Sequence, residues 1–311
     1  MLLSSFSIID LQVLKFIKDW MLPLAMITGA LTYPISGQLA ILTPYLIFSM
    51  LLLTFCKLSP REIRFHPAHA KLLLIQIGGA LLAFGLFYWV HPVIAQGALI
   101  CVLAPTATSA AVITGMLGGS IAFLTSYLLF CNIAVALTVP VLFPLLGLYD
   151  EMNFIDSVFY ICSQVGPILL LPLVAAWIIR YVFPRLHARI IKIHQLSFYL
   201  WAVALAIVTG RTVKFLIEQE NADYFVEIGC ATVALLICCG QFLLGRKIGR
   251  KYNDPVSSGQ GLGQKNTILA IWMAQVYLNP ISSVAPAAYV LWQNTINSYQ
   301  LWLRKKQINV K

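Results

Sequence analysis

Lys265 is an ammonium in the wrong solvent. From Pro255 to Leu303 the chain carries no other Asp, Glu, Lys or Arg, and the surrounding text is Gly259-Gln260-Gly261-Leu262-Gly263-Gln264-Lys265-Asn266. A charge at bilayer depth costs about 2.5–3.5 kcal/mol on insertion scales, so an intramembrane ionisable residue points to function. Three glycines and two amides beside it predict irregular backbone, which a membrane tolerates only where protein or water covers it. Two other features match in type. Pro105 interrupts an apolar run among Thr106, Thr108 and Ser109, and Gln76 is a lone amide in Leu72-Leu73-Leu74-Ile75-Gln76-Ile77. Helix ends that meet at mid-membrane hold anions with N–H groups and cations with C=O groups. Thr108 and Asn266, one from each interruption, are then the candidates to hold a small carboxylate. Gln76 needs hydrogen-bond partners wherever it is buried, and a neighbouring helix alone could supply them.

The elements that must position these groups are membrane helices. The chain has 311 residues, 60% hydrophobic and 10% charged, and residues 72–149 contain no Asp, Glu, Lys or Arg. A soluble domain carries roughly 25% charged residues. At about 20 apolar residues per span, ten segments emerge near 19–35, 38–57, 71–90, 92–117, 119–148, 156–182, 191–216, 224–246, 257–278 and 280–303. Residues 1–18 read as a mixed polar and apolar lead-in without the pattern of a cleavable signal. With both termini cytoplasmic, the inner side holds 18 Lys and Arg, from Lys15 and Lys18 through to Lys311, and the outer side only Arg211 and Lys214. That asymmetry predicts an inner-membrane, multi-pass chain with an even number of spans. It also accounts for the net charge of +10, so no nucleic-acid partner is implied.

Ten spans divide into five and five, residues 1–150 and 151–311. Five is odd, so the second unit inserts upside down. The interrupted segments become the fourth and ninth, and prolines punctuate the spans that follow (Pro140 and Pro144, then Pro280 and Pro286). Matched interruptions in two halves point to a transporter binding site. The seven cysteines all lie in apolar segments and read as small hydrophobes rather than a disulfide framework or metal site. The histidines (His66, His69, His91, His187 and His194) fall at or near loops and read as interfacial. Trp20, Trp89, Trp201 and Trp302 near span ends read as interface anchors. No His-Glu-x-x-His or Gly-x-Ser-x-Gly motif is present, which weighs against an intramembrane enzyme. A scaffold would not need paired breaks. No cofactor is expected.

The run Ala104-Pro105-Thr106-Ala107-Thr108-Ser109-Ala110-Ala111-Val112 resembles the fourth-helix motif of the bile acid:sodium symporter family. Gly261 to Asn266 resembles its ninth-helix motif, and Pro280 through Trp292-Gln293-Asn294 its last helix. The resemblance covers nearly the whole chain in span order. It implies an all-α polytopic membrane protein of two inverted five-helix repeats. Spans 3–5 and 8–10 form a core, spans 1, 2, 6 and 7 a panel. Helices 4 and 9 are broken and cross in the core, and substrate binds between core and panel. Thr108, Ser109, Asn266 and Asn294 are the implied substrate contacts.

The chain departs from the family's sodium sites. The first site's five oxygen-bearing positions correspond to Ala110, Ala111, Leu124, Leu128 and Gly261, none of which carries a side-chain oxygen. A one-residue slip would bring Ser109 or Thr125 into play. The second site's positions correspond to Gly261, Lys265 and Gln76, of which Gln76 alone is kept. One expectation is therefore a tethered cation: Lys265 replaces sodium, donating to Gln76 and to carbonyls of the broken ninth helix. The carrier would then be a sodium-independent facilitator or exchanger of small organic anions working by alternating access. Proton coupling through Lys265, retained sodium coupling, and auxin-efflux-like or arsenite-efflux-like carriage remain open. The last of these would want a cysteine in the fourth-helix motif, where Cys101 lies a few residues early. The blandest alternative is that Lys265 snorkels to an interface.

Overall fold

A computed structural model describes residues 20–146, 153–193, 196–219 and 223–309. Residues 1–19, Asp150, Glu151, His194, Glu220 and Lys311 lie outside the described set, as does most of the proposed join between halves. The described chain is helical, in the order α1 (Met21–Leu31), α2 (Tyr33–Leu39), α3 (Thr43–Phe55), α4 (Pro67–Tyr88), α5 (Pro92–Leu103), α6 (Ala110–Met116), α7 (Ile121–Leu145), α8 (Phe154–Val182), α9 (Pro184–Lys192), α10 (Leu196–Glu218), α11 (Tyr224–Arg250), α12 (Pro255–Gly263), α13 (Thr267–Tyr277) and α14 (Val284–Asn309). Short 3-10 turns precede α3, α4 and α14.

Six helical stretches are long and apolar enough to cross a membrane: Tyr33–Phe55, Pro67–Tyr88, Ile121–Leu145, Phe154–Val182, Leu196–Glu218 and Tyr224–Arg250. Their outer faces carry large apolar side chains. On α4, Leu74, Leu82 and Leu86 are all exposed. Soluble monomers rarely expose apolar patches on this scale, and a multi-pass membrane protein requires them. Trp20, Trp89 and Trp302 are exposed near helix ends, as interface anchors should be.

The start of the chain differs from the expected pair of spans at 19–35 and 38–57. The helical run Tyr33–Phe55 begins inside the first expected span and passes through the break expected at 36–37, with Pro34 and Pro44 in first turns, where a missing N–H costs nothing. Only Met21–Leu31 precedes it among the described residues, 11 residues that rise about 16 Å. Its crossing with α10 is close: a Cβ built on Gly29 would sit 2.2 Å from the Ala206 carbonyl oxygen.

Two packed groups follow from the contacts. Helices α4–α7 and α11–α14 surround α5 and α12, with α5 against α4, α11, α13 and α14. Helices α1–α3 pack on α10, and α3 also on α8. The groups meet on two sides: α7 packs along α8, and α10 touches α13 and the 3-10 turn Pro280–Ser283. Within the first group, α11 and α12 approach through glycine. A Cβ on Gly245 would lie 2.5 Å from the Ser258 carbonyl oxygen and 2.9 Å from the Gly259 Cα. Small residues at such seams let backbones touch.

Candidate functional site

Both interruptions are real, and they cross. At the first, α5 stops at Leu103 because Pro105 drives Ala104 into extended backbone (ψ 139°). At the second, α12 stops at Gly263 and Gln264 is extended (ψ 100°). The two short extended stretches pair as an antiparallel bridge between Thr106 and Lys265. The Ala107 N–H donates to the Gln264 carbonyl (2.8 Å) and the Asn266 N–H to the Pro105 carbonyl (2.7 Å). Residues 157 to 161 apart in sequence thus share one buried ladder.

The chemistry of the crossing is set by helix ends. An α-helix leaves its last four carbonyls without helical partners, and those of α5 end in a buried region. Each finds a donor. Cys101 O accepts from Gln241 Nε2 (3.2 Å), Val102 O from Lys265 Nζ (2.8 Å), and Leu103 O and Ala104 O from Gln76 Nε2 (2.8 and 2.9 Å). At the end of α12, Gly261 O accepts from Thr106 Oγ1 (2.6 Å) and Gly263 O from Tyr289 Oη (2.8 Å). Gln293 Oε1 accepts from the Lys265 N–H (2.9 Å).

Lys265 is 1% exposed, so it does not snorkel. Its expected partners need correction. The ammonium donates to Val102, a carbonyl of the opposite interruption, and neither to Gln76 nor to the ninth-segment backbone. The reason is local: Gln76 Nε2 is taken by the next two carbonyls of α5. Gln76 Oε1 accepts from Tyr127 Oη (2.9 Å) and Cys131 Sγ (3.2 Å). Among the described residues no carboxylate pairs with Lys265; the single ion pair is Lys214 with Glu218 at 3.8 Å. The compensating charge is dipolar. Two helix C-termini converge here, each equivalent to about half a negative charge, so together they match one ammonium.

A sodium ion does not fit the residues present. Ala110, Leu124 and Leu128 are buried and Ala111 half-buried, with no side-chain oxygen to offer. A Cβ on Gly261 would fall 2.8 Å from Tyr127 Cδ1 and 3.4 Å from Leu124 Cδ1. The Tyr127 ring fills the space a glutamate at 261 would need. Thr125 Oγ1 bonds back to Ile121 O (3.0 Å), and Ser109 Oγ accepts from Gln264 Nε2 (2.9 Å).

The implied substrate residues are arranged around the bridge. Thr108 is half-buried, Ser109 exposed and Asn266 9% exposed. By the register of the bridge, Thr108 and Asn266 lie at opposite ends of the ladder. Asn266 Oδ1 caps α13 by accepting from the Leu269 N–H (3.3 Å), while Asn294 Nδ2 donates to Val290 O in its own helix (2.6 Å). Gln241, Tyr289, Gln293 and Tyr127 complete the site, and sequence reasoning missed them. An amide or phenol inside a span signals only that it needs a partner.

His69 is the histidine that departs from the interfacial expectation. It is fully buried on α4, its Nδ1 accepting from the His66 N–H (3.2 Å). Cys101, Cys230 and Cys238 share one apolar cluster. Among the described residues no three His, Cys, Asp or Glu side chains come close enough to hold a metal ion.

A cavity of about 730 Å³ lies within the second group and touches the first at one residue. Its walls come from α2, α3, α8 and α10, and it reaches Trp272 of α13, less than two turns beyond Asn266. Arg211, Lys214, Phe215 and Glu218 line it from one face of α10. The two basic residues assigned to an outer loop by charge counting are therefore helical and half-buried.

No protein-family model matches the chain, and no curated protein does.

Proposed function

We propose that the chain is a secondary transporter of a small organic anion that works by alternating access without sodium. The observation that carries the reading is the buried bridge between Thr106 and Lys265, with the Lys265 ammonium on the Val102 carbonyl. Crossed interruptions of this kind are the transporter pattern in which half-helix ends face a mid-membrane site. A ten-span inverted repeat follows from pairing the α5/α6 interruption with the α12/α13 interruption. In that plan α4–α7 with α11–α14 are the core, and α1–α3, α8 and α10 the panel. The similarity to the bile acid:sodium symporter family rests on the same motifs. The charge asymmetry supports an inner-membrane protein with both termini cytoplasmic.

In this reading Lys265 is a tethered cation. A sodium ion at the crossing of a coupled carrier screens converging carbonyls and leaves with each cycle. An amine fixed to the chain screens them and stays, so no sodium gradient can drive transport. The test is uptake of labelled small carboxylates into vesicles holding the purified protein. Rates in sodium and in choline should agree within about twofold; a steep rise with external sodium sinks the proposal. An imposed pH gradient, run in both directions, separates a facilitator from a proton-coupled carrier. Unchanged uptake identifies the former.

A further inference from the structure

The fixed ammonium at the crossing cannot be what attracts an anionic substrate. Lys265 is 1% exposed and its ammonium faces the Val102 carbonyl. Its charge is matched by the helix ends around it. If the carrier selects anions, another cation must do so, and it must face water.

The cavity supplies one. We infer that Arg211 is the residue that recognises the anionic group of the organic substrate, in the cavity between α10 and Trp272. This rests on the transport reading. Three observations carry it. First, the volume of about 730 Å³ falls within the range of about 300–1,000 Å³ of small-molecule sites. Second, most of the lining is apolar, with Tyr45, Phe48, Leu171 and Trp272 among its residues and Ser163 and Gln164 as polar groups beside Arg211. That wall suits an anion with an apolar body. Third, the two cations differ in availability. Lys214 is paired with Glu218 (3.8 Å). Arg211 lies two turns before Glu218, and among the described residues no carboxylate pairs with it. Two of the described acids near this end are engaged: Asp223 caps α11 through the Phe225 and Val226 N–H groups, and Glu227 accepts from Gln219. The Arg211 guanidinium rests over the Phe215 ring, 5.4 Å from its centroid. Among the described residues no hydrogen bond occupies its N–H groups, which suit the two-pronged hydrogen bonding that guanidinium gives a carboxylate. The cavity's far wall, Trp272, belongs to the helix that Asn266 caps, so an anion read at Arg211 stands on the way to the crossing.

The test is calorimetric titration of the purified protein with naphthalene-2-carboxylate and its neutral twin, naphthalene-2-carboxamide. The wild-type protein should bind the carboxylate more tightly. Arg211→Gln should weaken the carboxylate about tenfold or more, the scale of a lost charge-assisted hydrogen bond, and leave the carboxamide within about twofold. Lys305→Gln, at an exposed cation of α14 outside the cavity lining, should change either probe by no more than about twofold. Arg211→Lys should recover part of the preference, which separates charge recognition from damage to the fold. Equal binding of the two probes by the wild-type protein, no binding of either, or an unchanged preference in Arg211→Gln overturns the assignment. Vesicle uptake separates this inference from the one beneath it. Arg211-dependent binding without uptake sinks the carrier and leaves the site. Uptake whose anion preference survives Arg211→Gln sinks the site and leaves the carrier.

Discussion

At the residue scale, Lys265 should be structural before it is anything else. Replacing a buried ion pair by apolar side chains is often neutral, but the partner here is a row of backbone carbonyls that cannot be substituted away. Lys265→Met should leave Val102 O unpaired and two helix C-termini without a cation, a loss of about 1–3 kcal/mol. Thermal unfolding in detergent should fall by several degrees, and an unchanged transition would show that the ammonium does not hold the crossing. Lys265→Gln adds a sharper readout. If the amine stands in for a metal cation, that variant should gain stabilisation from added sodium that choline does not give. The importance of Lys265 was legible in the sequence, because a lone charge in a long apolar run has few explanations. Its partner was not. A carbonyl belongs to every residue type, so nothing in the letters marks Val102 as the acceptor. The same holds for Gln241 and Tyr289, whose roles exist only once α11 and α14 are folded against the end of α5. Arg211 was seen and misplaced, since counting charges by side says nothing about depth.

Elements were easier to read than residues where punctuation was strong. Pro105 ends α5 by a steric rule that needs no tertiary context, whereas Gly259, Gly261 and Gly263, where irregular backbone was expected, stay helical inside α12 and pack against Arg246, Tyr127 and Phe242. The first spans were misjudged because Pro34 and Pro44 look like breakers yet sit in first turns, where proline is welcome. Gly245 and Gly249 on α11 carried a different message from the glycines of the interruption: they mark a backbone seam. Gly245→Ala places a methyl 2.5 Å from the Ser258 carbonyl oxygen, so α12 must move off α11, at a cost of about 1–3 kcal/mol. Because α12 leads through Gln264 into Lys265, the displacement should also weaken the ladder between the interruptions. Gly240→Ala, five residues earlier on the same helix with nothing within 4 Å, should be neutral or gain up to about 1 kcal/mol of helix propensity. Thermal unfolding of the two variants side by side checks the difference. Equal shifts would mean that the seam is not tight.

For the whole molecule, alternating access requires the two packed groups to part and rejoin, and they meet on two sides, along α7 and α8 and where α10 reaches α13 and the turn Pro280–Ser283. Helix α10 meets the other group through a small polar patch. Thr212 Oγ1 lies 3.0 Å from Ser283 Oγ, and Gln275 Nε2 donates to Thr212 Oγ1 (2.9 Å) and Val208 O (3.0 Å). The patch is buried, and it sits one residue from Arg211, beside the cavity. Hydroxyl pairs 3.0 Å apart place their Cβ atoms near the spacing a disulfide needs. A Thr212→Cys, Ser283→Cys double variant should therefore oxidise readily and fasten α10 to the turn before α14. If the cycle swings α10 away from that turn, the oxidised protein still binds an anion in the cavity but no longer carries it, and reduction restores uptake. Each single variant controls for the native cysteines, which should give no such reversible block. Full transport by the oxidised double variant would mean that α10 and the turn Pro280–Ser283 travel as one body. The moving boundary would then lie elsewhere, most plainly along the seam where α7 and α8 pack.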